Sequence, residues 1–105
     1  MLLPDTYITR LPEGLAPVIG QWIWSYPVEF RLARDRKSLL GNCRSSLNGH
    51  VITVNRGLNP YAFLLTLTHE IAHMINYKTG KRQTPHGTGW KDVYSRLIRE
   101  LLTTG

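Results

Sequence analysis

The 105-residue sequence has a single cysteine, Cys43, so no intrachain disulfide framework can hold it together. One cysteine also excludes a self-contained four-cysteine zinc ribbon within these residues. Acids are scarce. Seven Asp and Glu stand against thirteen Lys and Arg, a formal charge of +6. Between Glu29 and Glu70 the sole acid is Asp35, set among Arg31, Arg34, Arg36, Lys37, Arg44 and Arg56; between Glu70 and Asp92 there is none. Long hydrophobic runs are missing too. The most apolar stretch, residues 61–75, is interrupted by His69, Glu70 and His73 and falls short of the roughly 18–20 residues that a membrane span requires. The opening Met1-Leu2-Leu3-Pro4-Asp5 lacks the charged head and apolar run of a secretion signal, which predicts a cytoplasmic protein with no membrane partner.

What is present suits a folded domain. Hydrophobic residues make up 42% of the chain and ten aromatics are spread along it, which argues against disorder. The length serves one core and not two, and no repeat or low-complexity tract divides residues 1–105. The positive surplus has two readings that the sequence leaves open: a solubility charge, or a field that attracts polyanions, nucleic acid first among them.

Apolar residues from Leu11 to Tyr26 recur at helical spacing, with two starts open: Pro12 suits a first helical position, and Pro17 within the pattern points to a later start near Ala16; Pro27 ends the helix. The period then changes to two. Val28, Phe30 and Leu32 alternate with Glu29, Arg31 and Ala33 and predict a strand, followed by a turn at residues 35–38 and an antiparallel return over residues 39–46. Asn48-Gly49 is a hairpin signal, and the β-rich His50-Val51-Ile52-Thr53-Val54 predicts a third strand. Asn59-Pro60 pairs a capping side chain with proline at a first helical position, opening a helix to about Lys78, with Gly80 as its stop. After a loop over residues 81–87, a last amphipathic helix over residues 89–102 carries Trp90, Val93, Tyr94, Leu97 and Leu101 on one face. The predicted class is α+β: a small three-stranded antiparallel sheet packed on the central helix, with helices at either end.

The central helix carries His69-Glu70-Ile71-Ala72-His73, an H-E-x-x-H pentapeptide that a shuffled chain of this composition would contain in roughly 0.5% of cases. Ligands four residues apart rise about 6 Å on one helix face, close enough for both imidazoles to reach one ion. Glu70, about 100° around the axis, falls beside the open coordination position, where it can take a proton from water and pass one to a leaving amine. Leu64, Leu67, Ile71 and Ile75 fall opposite the histidines, and Ala62, Thr66, His69, His73 and Tyr77 share the other face. Two histidines and a glutamate on so apolar a helix need a partner, and a metal would serve. The candidate third ligand is His86, twelve residues beyond His73, with Pro85 and Gly87 beside it. With no acid between Glu70 and Asp92, histidine is the better choice for that ligand. Three protein ligands plus water is the usual catalytic zinc arrangement, whereas structural zinc is normally closed by four.

These residues resemble the SprT-like metallopeptidase domain of bacterial SprT-type proteins and of the eukaryotic DNA–protein crosslink protease Spartan. The resemblance rests on the pentapeptide, on His86-Gly87, and on Trp90 opening the last helix. Upstream it rests on the Arg-rich segment from Phe30 to Arg36, Leu40-Gly41-Asn42-Cys43-Arg44, and Ile52-Thr53-Val54-Asn55 leading into Asn59-Pro60. It covers about residues 11–102. It implies a zincin-like minimal metallopeptidase domain with Zn2+ on His69, His73 and His86, Glu70 as general base, and hydrolysis of peptide bonds in proteins bound to DNA. Trp90 stands where the family often has Phe. Many relatives carry a zinc ribbon or another nucleic-acid module after this domain, so the expectation is either a single domain without that module or one piece of a longer protein.

Weaker candidates lie nearby. Tyr77, one turn past His73, is placed to donate to an oxyanion or simply to pack. His50 reads as a surface histidine, opening a strand that, at a sheet edge, would meet extended substrate. Cys43 reads as a small core residue, and Trp22 and Trp24 point to different sides of their helix; they read as packing residues, with stacking on a base the alternative for an exposed one. Two other functions compete with the peptidase. One is a nucleic-acid-binding module whose zinc is mainly structural, which Glu70→Gln would not affect. The other is a nuclease, disfavoured because nucleases usually hold paired metals on clustered carboxylates.

Overall fold

The computed structural model describes residues 2–34, 40–78 and 86–104; the turn expected at residues 35–38, the stop at Gly80 and residues 81–85 of the last loop lie outside them. In chain order the elements are α1 (Asp5–Ile8), α2 (Ala16–Ile23), β1 (Val28–Ala33), β2 (Gly41–Ser46), β3 (Gly49–Asn55), α3 (Pro60–Lys78) and α4 (Thr88–Thr104). Of the two starts open to the first long helix the later one is found, not the one at Pro12, and the Asn59-Pro60 start holds. Pro17 occupies the first turn of α2, and the Asn59 side-chain oxygen accepts the Ala62 N–H at 2.9 Å ahead of α3.

The sheet is mixed, which corrects the antiparallel expectation. Its order is β1-β3-β2; β3 pairs antiparallel with β2 and parallel with β1, Phe30 and Cys43 both lying opposite Ile52. Composition explains the order. β3 buries His50, Ile52, Val54 and Asn55, while β1 exposes Glu29 and Arg31 and β2 exposes every second residue. The strand that carries no Asp, Glu, Lys or Arg takes the centre, and the two strands with charged side chains, Glu29 and Arg31 on β1 and Arg44 on β2, take the edges. The β2–β3 hairpin turns through Leu47-Asn48, with Ser46 opposite Gly49. Gly49 has φ +146°, and a β-carbon there would stand 3.0 Å from the Pro27 carbonyl oxygen, which accepts the His50 N–H.

Val28, Phe30, Leu32, Ile52 and Val54 share the face that meets α3, where Phe63, Leu67, Ile71 and Met74 are fully buried. Ile19 and Ile23 of α2 and Val93 and Leu97 of α4 complete the core. The short α1 was not expected. Its Tyr7 is fully buried between Phe30 and Phe63, with both ring centroids 5.1 Å away, and its hydroxyl donates to the Arg31 carbonyl. Leu3, Tyr7 and Leu11, buried at four-residue spacing, were the available signal. No helix among the described residues is long and apolar enough to cross a membrane.

Candidate metal centre

Burial of Leu64, Leu67, Ile71 and Ile75 fixes the rotation of α3, so His69 and His73 emerge on the side facing the start of α4. His86, just ahead of α4, meets them. The three Nε2 atoms form a nearly equilateral triangle: His69 to His73 3.3 Å, His73 to His86 3.2 Å and His86 to His69 3.1 Å. A tetrahedral zinc site with Zn–N of about 2.0–2.1 Å spaces its ligand nitrogens about 3.3 Å apart. Three ring nitrogens this close cannot satisfy one another by hydrogen bonding, since each neutral imidazole offers either one proton or one lone pair at that atom. A cation accepting three lone pairs resolves the conflict. The donor set therefore fits a metal ion, and His69, His73 and His86 form the candidate group.

Electrostatics agree. Burial, followed by the neighbouring imidazoles, holds His73 down to about 4, and burial with the His86 charge lowers His69 as well. Both rings are neutral at physiological pH, the state that ligates.

Trp90 supports all three rings. It stacks on His73 at 5.4 Å and 28°, meets His69 at 4.8 Å and His86 at 4.7 Å, and donates its indole N–H to the His69 carbonyl at 3.3 Å. The sequence marked Trp90 as an aromatic of the last helix; its contact with every candidate ligand is a product of the fold.

Glu70 turns toward the sheet. It is 6% exposed, and its Oε2 lies 3.2 Å from the place where a β-carbon on Gly41 would stand. It shares with His69 an open cleft of about 320 Å³ between α3 and the start of β2. Burial raises its carboxyl to about 7, a proton affinity suited to an acid–base role near neutrality.

The weaker candidates separate. Tyr77 sets its ring edge-on to His50 at 5.9 Å. His50 is not the surface histidine expected: it is buried in the central strand with its Nδ1 2.7 Å from the Ser45 hydroxyl, and the edges belong to β1 and β2. Cys43 is half-buried against the core, 3.7 Å from Ser45 Oγ, and burial pushes its thiol up to about 11. Trp22 donates to Glu100 at 2.8 Å, joining α2 to α4, while Trp24 is 70% exposed. Tyr94 was read only as part of an apolar helix face. It lines the Glu70 cleft and stacks on Trp90 at 4.9 Å and 11°.

The site is thus a three-histidine cluster with a buried glutamate beside it, on a small α+β scaffold. The model of the SprT-like family matches residues 22–103, and the chain belongs to that family. No curated protein matches it.

Proposed function

We propose that the chain is a zinc-dependent metalloendopeptidase with a zincin-like site, acting on DNA-associated proteins. The observation that carries this reading is the Nε2 triangle of His69, His73 and His86 opening beside the buried Glu70. These three nitrogens would hold the ion, whose chemistry when bound is to polarise the scissile carbonyl and acidify attacking water. Glu70 takes the proton of that water on a carboxylate oxygen and passes it to the leaving amine nitrogen. Its position in the same cleft as His69 supports this role.

Substrate has a natural track. The Leu40 carbonyl accepts the Asn55 N–H, so the inward-bonding residues of β2 are Leu40, Asn42 and Arg44, and the backbone groups of Gly41 and Cys43 point away from β3, to an edge that no strand among the described residues pairs with. Gly41 lies in the cleft. An extended peptide adding to this edge would pass Glu70.

The open face of the sheet carries Arg31 and Arg44, with exposed Arg34 and Arg56 beyond the ends of β1 and β3. This face supports the DNA association. It also favours the second reading, a nucleic-acid-binding module with a mainly structural metal. One experiment separates the two: cleavage of a basic DNA-binding protein by the zinc-loaded chain, with and without single-stranded DNA, and Glu70→Gln as blank. Cleavage that requires DNA and disappears in the variant is expected. Salt-dependent DNA binding with no cleavage in either protein would favour the second reading.

A further inference from the structure

The cleft beside Glu70 has three bulky side chains in its walls, Leu40, Leu65 and Tyr94. Leu65, on the first half of α3, and Leu40, just before β2, are large aliphatics left 48% and 49% exposed. Both line the cleft. Tyr94 forms the remaining wall. Its ring is held by the parallel stack on Trp90, which itself packs against the three histidines, so this wall is fixed relative to the metal centre. Tyr94 also stands 6.0 Å from the His69 ring, centre to centre. The floor is closed where Gly41 meets Thr66; a β-carbon on Gly41 would come within 2.7 Å of Thr66 Cγ2.

Charge narrows the occupant. Among the described residues no Lys or Arg lines the cleft, and its one carboxylate is Glu70. An acidic side chain would therefore lose its water and face Glu70 with no Lys or Arg of the described lining to pair with, while a basic one could pair only with the group reserved for proton transfer. An apolar side chain has neither penalty and covers the exposed parts of Leu40 and Leu65. The cleft's 320 Å³ is at the lower end of the size of ligand pockets, room for one side chain rather than a folded segment.

We infer that this cleft is a specificity subsite that takes a bulky apolar side chain, such as Leu, Met or Phe, from a residue flanking the scissile bond, with Leu65 and Leu40 as its selecting walls. The inference rests on the peptidase reading, because it is the shared wall with His69 and Glu70 that makes the occupant a peptide side chain.

The test uses two readouts. Zinc-loaded wild-type protein is given a mixture of unstructured peptides, and the cut bonds are located by mass spectrometry. Zinc-loaded Glu70→Gln protein is titrated with fluorescent peptides that differ only by Leu, Lys or Asp at the selected position. Apolar residues should flank most cut bonds, and the Leu peptide should bind about tenfold or more tighter than the Asp peptide. Leu65→Glu, at a half-exposed position where folding and zinc content can be checked independently, should abolish the Leu preference and admit Lys. Equal binding of the Leu and Asp peptides, or a preference unchanged by both Leu65→Glu and Leu40→Ala, would overturn the subsite. Selective binding without hydrolysis in the wild type would instead overturn the peptidase reading and leave the subsite standing.

Discussion

Glu70 Oε2 stands 3.2 Å, and Thr66 Cγ2 2.7 Å, from the point a β-carbon on Gly41 would occupy. The helix bearing the candidate catalytic base thus lies against the edge strand at a distance only a residue without a side chain permits. Gly41→Ala should destabilise the protein by roughly 1–3 kcal/mol, as overpacking does, measured by urea unfolding. Removing the other methyl with Thr66→Ala should return most of that loss in the double variant. Strictly additive costs would show that the Gly41–Thr66 contact is not the cause.

The candidate third ligand can be removed without touching the core, because the His86 ring is exposed. His86→Ala should melt at the wild-type temperature when metal-free. Zinc should stabilise the wild type, by about 2.7 kcal/mol at a hundredfold excess over its dissociation constant, and should barely shift the variant. A full zinc-induced shift in His86→Ala would remove His86 from the ligand set.

Trp90 offers a graded test of how the rings are held. Trp90→Phe keeps an aromatic face under His73 and should retain metal affinity, whereas Trp90→Ala should weaken it by about 10–100-fold, the usual effect of losing an outer support. Competition with a chelator, at a temperature where both variants are folded, reads the difference. Equal affinities would mean that the stack on His73 at 5.4 Å does not orient the ligand.

Cys43 should be slow toward alkylating reagents. Burial lifts its thiol to about 11, so at pH 8 only roughly one molecule in a thousand carries the reactive thiolate. The sign is that of a raised acid: the neutral form is favoured by folding, and reaction should accelerate about tenfold per pH unit until the thiol titrates. Alkylation at pH 8 as fast as that of a free cysteine, measured on folded protein by mass shift, would contradict the buried placement.

The histidine geometry was legible because helical periodicity is a local property. Apolar Leu64, Leu67, Ile71 and Ile75 set the rotation of α3, and the spacing of His69 and His73 then follows. The partner across space was less so. His86 could be nominated by residue type, but its approach to within 3.2 Å of His73 depends on how α4 packs on α3. Sheet order was not legible at all. Alternation identifies a strand and its inward face, but β1 carries at least as many apolar residues as β3, so apolar content does not choose the centre. Tyr94 was hidden for a related reason: an aromatic on an amphipathic face reads as core until the cleft beside it is seen.

The most direct test of the account is the rate of peptide hydrolysis by wild-type and Glu70→Gln proteins at matched zinc content. The account predicts one zinc per chain in both, with hydrolysis falling about 10²–10⁴-fold in the variant, as loss of a general base requires. Equal rates, or a wild-type chain that binds no zinc after reconstitution, would contradict it.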